Sequence, residues 1–286
     1  IDARQVSWDL VKGIQKDNLN KRYRLPKLAK IKRIALDEIY QGKKLGYLTI
    51  VLDLQRGAVI FVGNGKGADA LIPFWKRLKR SGARIEAVAT DMGPAYISAV
   101  RANIPDATLV FDHFHIIKLF NEKLTKLRRD LQREAENGLG KPVLKGIRWL
   151  LLKNPDNLDD KRNERQRLDE ALKLNEPLAT AYYMKEELRN IWHQPDKLSA
   201  QNALDEWVKK AAASDVNMLN QFSKTIAAHR SGILAYFDFN GLSTGPLEGI
   251  NNKIKTLHKM AYGFRDVEFF KLKIMALHET NYVLVG

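Results

Sequence analysis

The chain has 286 residues, with 48 Lys and Arg against 33 Asp and Glu, a formal charge of +15, and no cysteine. These figures exclude a disulfide framework and any cysteine-type zinc site within these residues. With 45% hydrophobic residues the chain can fill a large core, which excludes disorder as its main state. Every apolar run is far shorter than the roughly 18 residues of a membrane span, and no signal-type segment opens the chain, so a soluble, cytoplasmic protein is expected. The surplus of positive charge attracts polyanions, nucleic acid first. The alternative is a charge spread evenly over a solubilising surface.

In chain order, Val6–Val11 predicts a short helix capped by Ser7, and the opening at Ile1 rather than a methionine suggests that residues precede it in the full protein. Between Asn18 and Leu36 stand Lys21, Arg22, Arg24, Lys27, Lys30, Lys32 and Arg33 with no acidic residue among them. Such a block suits phosphate contacts, and equally a solvated linker. Ile31–Tyr40, Leu45–Leu54 and Ala58–Val62 are rich in β-branched and aromatic residues and are separated by glycines, the pattern of a three-strand meander. A helix over Ala68–Arg80, a strand over Ile85–Thr90, a helix opened by Pro94 and running to Asn103, and a strand over Thr108–Ile117 follow. That order fits a ribonuclease H-like fold: α/β, a mixed sheet flanked by helices. From Lys118 to about Phe237 the periodicity is helical throughout, and two more helices span Pro246–Met260 and Val267 to about Thr280. The expected organisation is a basic N-terminal helix and linker over 1–30, a catalytic domain over 31–117 and 241–286, and an all-helical insertion over 118–240.

Three carboxylates stand where chemistry could use them. Asp37 interrupts an otherwise apolar strand, where an isolated carboxylate is costly to desolvate. Metal binding is one reason for it; a strand-end carboxylate satisfied by solvent or a lysine is the other. Asp91 follows the strand Ile85–Thr90, at the carboxyl edge where open α/β sheets place their sites, though it also suits helix entry. Glu248 begins a helix whose apolar stripe is Leu247, Ile250, Ile254 and Leu257, while Glu248, Asn252, Lys255 and Lys259 share a polar stripe. A first-turn glutamate is also favoured simply by the helix dipole. In Asp112-His113-Phe114-His115, a strand would put His113 and His115 on one face as a possible metal pair, with Asp112 on the other. Trp149, Trp192 and Trp207 in the helical region read as core, with base stacking as the alternative.

At these residues the sequence resembles the ISL3 family of insertion-sequence transposases. Leu36-Asp37-Glu38-Ile39, Thr90-Asp91-Met92-Gly93-Pro94, Val110-Phe111-Asp112-His113-Phe114-His115, Leu247-Glu248-Gly249-Ile250-Asn251-Asn252-Lys253 and Tyr262-Gly263-Phe264-Arg265-Asp266 carry the resemblance, in family order. It implies a ribonuclease H-like catalytic core with a helical insertion and an acidic triad at Asp37, Asp91 and Glu248. The implied cofactor is Mg²⁺, with Mn²⁺ as a substitute, two ions per site. Double-stranded DNA, as element ends and target, is the implied partner, with a homodimer or higher oligomer assembled on it in the bacterial nucleoid. The family's N-terminal zinc-binding and helix-turn-helix region lacks its cysteines here. Lys255 falls where such enzymes place a basic residue against DNA, with Asn252 and Lys259 beside it and Asp112 and His115 as auxiliary candidates. The rivals are a catalytically silent DNA-binding derivative, a metal-dependent nuclease that never joins strands, and a zinc hydrolase built on Asp112, His113 and His115.

Overall fold

The computed structural model describes residues 7–43, 46–134 and 140–279. The chain divides into two compact units, 1–112 with 239–286, and 113–238.

The first unit opens with α1 (Trp8–Tyr23), whose Ser7 side chain accepts the Leu10 N–H as an N-cap. It runs three turns beyond the short helix expected, because Lys12, Lys16 and Arg22 find carboxylates far along the chain. Lys16 Nζ lies 2.8 Å from Asp266 and Arg22 2.6 Å from Glu279. A meander follows: β1 (Arg33–Tyr40), β2 (Tyr47–Asp53) and β3 (Ala58–Asn64). After a 3-10 turn come α2 (Ile72–Ser81), β4 (Ala87–Thr90), α3 (Pro94–Asn103) and β5 (Thr108–Phe111). The sheet order is β3-β2-β1-β4-β5, antiparallel across β3-β2-β1 and parallel across β1-β4-β5. This five-strand mixed sheet is consistent with a ribonuclease H-like layout.

The second unit contains α4 (His113–Glu134), α5 (Gly140–Gly146), α6 (Glu164–Lys173), α7 (Glu176–Asn190), α8 (Lys197–Ala213), α9 (Asn217–Ala228) and α10 (Arg230–Asp238). Its core includes Phe120 and Trp207, each with an edge-on ring contact to Phe222, and the Trp207 indole donates to the Met184 carbonyl at 2.7 Å. Buried Lys185 is kept by the Leu151 carbonyl and the Glu186 carboxylate. The chain then returns to the first unit with α11 (Gly245–Met260) and α12 (Val267–Met275), the latter capped by Asp266 on the Phe269 N–H.

Side-chain alternation along the strands gives the first unit two cores. Ala35 and Ile39 of β1 and Ala89 of β4 pack with Leu247, Ile250 and Ile254 of α11 and with Phe270 and Ile274 of α12. Ile34, Leu36 and Val88 face the other way, onto Phe74, Trp75 and Leu78 of α2 and Tyr96 and Val100 of α3. Asp37 therefore sits on the α11 side, between Ala35 and Ile39. One expectation fails here: β5 stops at Phe111 and α4 begins at His113, so the strand does not continue to Ile117. Among the described residues no helix is long and apolar enough to cross a membrane.

Candidate active site

The parallel half of the sheet sets a row of three aspartates. Arg33 pairs with Ala87 and Ala35 with Ala89, an offset of 54 that, carried on, puts Asp37 level with Asp91. Ala87 pairs with Thr108 and Thr90 with Phe111, an offset of 21 that puts Asp91 level with Asp112. Adjacent strands lie about 4.8 Å apart, so the three residues stand at one height on neighbouring strands, Asp37 within β1 and Asp91 and Asp112 just past the ends of β4 and β5. The Asp112 N–H donating to the Thr90 carbonyl at 3.1 Å extends the ladder to that level.

Each carboxylate is oriented. The Asp37 Oδ1 accepts its neighbour's Glu38 N–H at 2.8 Å, and Oδ2 accepts Asn251 Nδ2 of α11 at 2.8 Å. Asp91 Oδ1 accepts the Gly93 N–H at 2.9 Å, a local turn that shapes the entry to α3. A side chain on Gly93 would crowd that same oxygen. Asp112, almost fully buried, accepts the hydroxyl of Thr244, the residue that precedes α11. Behind Asp37, Tyr96 donates to Glu38 Oε2 at 2.8 Å and lies 3.3 Å from the Thr49 hydroxyl. Burial, reinforced by the Glu38 carboxylate, pushes the Tyr96 phenol well above its ordinary value and keeps it a proton donor at all ordinary pH.

Helix α11 thus spans the row, anchored to Asp112 by Thr244 and to Asp37 by Asn251. Glu248 lies one turn from each anchor, and its N–H donates to the Thr244 carbonyl at 3.0 Å. Spacings of four, three and four put Thr244, Glu248, Asn251 and Lys255 on one stripe. The exposed Glu248 side chain therefore belongs to the stripe that faces the aspartates, at the solvent rim. Among the described residues, no three of His, Asp and Glu stand close enough to hold a metal ion as placed. The donors suit one nonetheless: aspartate oxygens are the hard ligands that Mg²⁺ takes. Two buried acceptors at the same end of the sheet, Asn251 Oδ1 and Thr90 Oγ1, have no hydrogen-bond partner in the protein.

The remaining candidates divide. Lys21, Arg24, Lys27 and Lys30 are exposed, as are Asn252, Lys255 and Lys259 on α11. Arg22 is paired with Glu279, and Arg33 lies 3.8 Å from Glu86 and stacks 5.4 Å from the Phe239 ring, so both also serve the protein's own packing. His113 and His115 are on a helix rather than a strand. Two positions apart there they do not share a face, so the possible histidine metal pair, an alternative that depended on a strand, does not form. Asn251 was not singled out by sequence, since the polar stripe was drawn through Asn252. Thr244 was likewise missed.

A family model described as a transposase, that of the ISL3-type DDE enzymes, matches residues 34–274. The transposase of insertion sequence element IS1001 from Bordetella parapertussis is 36% identical over 280 residues, 97% of this chain and 68% of that protein. The transposase of IS1557 from Mycobacterium tuberculosis is 30% identical over 265 residues, 85% of this chain. The chain spans 59% of the length of this second relative. The matched segment runs from the second residue of β1 to the penultimate residue of α12 and so contains Asp37, Asp91 and Glu248 together with both anchors of α11. By that match and those identities, the chain belongs to the ISL3 family of DDE transposases.

Proposed function

We propose that this chain cleaves DNA at the ends of an insertion sequence and joins the freed 3′-OH to a target strand, with Asp37, Asp91 and Glu248 as its acidic triad. The observation that carries the reading is the anchoring of α11 across the aspartate row, with Glu248 between its Asn251 and Thr244 anchors. Asp37, Asp91 and Glu248 would hold a pair of divalent cations, Mg²⁺ or Mn²⁺, which when bound neutralise the dianionic five-coordinate phosphorus and activate the incoming oxygen.

The chain's own residues supply the rest. Asn251 and the Glu38 N–H fix both oxygens of Asp37, and Gly93 fixes one of Asp91, so the charges are arranged before DNA arrives and little reorganisation is needed. Lys255, two turns along the stripe from Glu248, meets backbone phosphate, and Lys21, Arg24, Lys27 and Lys30 add sequence-independent contacts that weaken with salt. In the first step water displaces the 3′ oxygen at the element's end; in the second that hydroxyl displaces a target-strand oxygen. No protein side chain is bonded to DNA in either step. In this reading the sheet unit is a ribonuclease H-like catalytic domain, residues 118–240 are its helical insertion, 1–30 are a basic N-terminal arm, and two or more copies pair the element ends.

One observation favours a second reading, a silent DNA-binding derivative: among the described residues no three of His, Asp and Glu stand ready as a metal-ligand group. The test is a pre-cut element end with an exposed 3′-OH, supplied with target DNA and Mg²⁺ or Mn²⁺. A transposase yields joined product. A nuclease yields only shorter fragments, and a silent protein yields neither.

A further inference from the structure

Within the helical unit lies a cavity of about 880 Å³ that the catalytic reading does not use. Its size suits one small ligand such as a nucleotide. Its wall is aromatic at one end: the His113 ring lies 4.1 Å from Phe114 and 5.7 Å from each of Trp192 and Tyr236. Cations line the remainder, with Lys118, Arg129 and Arg148 opposed by the single carboxylate Glu122, and Arg148 also stacks 4.6 Å from the exposed Trp149 ring.

The Trp192 side carries a second, independent signal. This residue is only 7% exposed, lines the cavity, and its indole N–H has no hydrogen-bond partner in the protein. Trp207, buried in the same unit, does satisfy its own N–H on a carbonyl. A buried donor left open costs free energy unless a ligand acceptor meets it. A flat ring system with acceptor atoms for the indole, joined to an anionic group for the arginines, meets every one of these features.

From this we infer that the cavity takes an unpaired nucleotide of the DNA strand, its base stacked on the Tyr236 ring with an edge acceptor on the Trp192 N–H, and its phosphate on Arg129 and Arg148. The inference rests on DNA being the substrate, and not on the triad. Aromatic walls accept any base because every base has a π-face, so the pocket selects for an unpaired base rather than for sequence.

The experiment uses the full chain in EDTA, so that no cleavage contributes, and a duplex carrying one unpaired 2-aminopurine. Wild type is expected to quench the probe on binding. Trp192→Phe keeps a ring but loses the donor, and is expected to weaken binding of the unpaired-base duplex about two- to tenfold with unchanged affinity for the fully paired duplex. Arg129→Ala and Arg148→Ala, both at exposed positions where folding is not at stake, are expected to weaken it as well. Equal quenching and equal affinity in all three variants would overturn the inference, as would displacement of the duplex by an equal concentration of free deoxynucleoside monophosphate. Cleavage assayed separately in Mg²⁺ tells the two readings apart. Intact cleavage without probe quenching sinks the pocket alone, and quenching without cleavage sinks the triad alone.

Discussion

Replacing Asn251 by Asp tests whether α11 reports on the charge at Asp37. The amide nitrogen lies 2.8 Å from Asp37 Oδ2, so the variant sets two carboxylate oxygens against each other. At an effective dielectric constant of about 20, like charges at the 2.8 Å separation repel by about 6 kcal/mol. The pair escapes part of this by taking up a proton. Protonating an ordinary aspartate at pH 7 costs about 4 kcal/mol, since 1.36 × (7 − 3.9) sets that limit. The expected loss is therefore about 4 kcal/mol at pH 7, roughly 10 °C in the melting temperature of the sheet unit. It shrinks steadily as pH falls below 7, by about 1.4 kcal/mol per pH unit, because the proton shared between the two carboxylates is then taken up at lower cost and restores a hydrogen bond. Mg²⁺ or Mn²⁺ added at neutral pH should recover more stability in this variant than in wild type. Thermal unfolding across pH 5 to 8, with and without the cation, reads all three effects. A variant as stable as wild type at pH 7 and insensitive to both proton and cation would refute the reasoning.

Other perturbations have similarly definite outcomes. Thr244→Val removes the hydroxyl that the buried Asp112 accepts and should cost about 1.5–3 kcal/mol in urea unfolding, with Thr244→Ser close to wild type. Lys16 and the Phe269 N–H hold the Asp266 carboxyl at about 2, below its ordinary 3.8. Its contribution is thus complete above pH 3.8 and fades as the pH drops toward 2. Lys16→Met, at a partly exposed pair, should lose under about 1 kcal/mol at pH 7, and its gap to wild type should narrow as the pH falls from 3.8 toward about 2 in urea titrations. A Cβ at Gly63 would press into the Ala70 backbone carbonyl, whereas one at Gly13 on α1 meets open space. Gly63→Ala should therefore destabilise by about 1–3 kcal/mol while Gly13→Ala gains up to about 1 kcal/mol, both measured as shifts in the unfolding midpoint.

What was legible in the sequence was mostly local. Pro94 and the apolar spacing after it predicted α3 from Pro94 to Asn103, as observed. The stripe Leu247, Ile250, Ile254 indeed packs on the sheet. The meander was readable because glycines separate its β-branched runs, and the placement of Asp37 and Asp91 followed from the strands that carry them. The segment after β5 misled because Phe111-Asp112-His113-Phe114-His115 alternates like a strand while lying at a strand-to-helix junction; a few residues cannot distinguish the two periods. Asn251 was out of reach for another reason. Its amide is buried only because it meets a carboxylate 214 positions away, and helix periodicity carries no record of so distant a partner. The length of α1 was hidden similarly, since Lys12, Lys16 and Arg22 looked unpaired until Asp266 was brought beside the lysines and Glu279 beside the arginine.

The most direct measurement is divalent-cation-dependent cleavage of element-end DNA by wild type beside Asp37→Asn, Asp91→Asn and Glu248→Gln, each first shown to be folded. Cleavage by wild type and its loss in all three is the predicted result. Full activity in the Glu248 variant, or in either aspartate variant, would contradict the assignment of these side chains to one site.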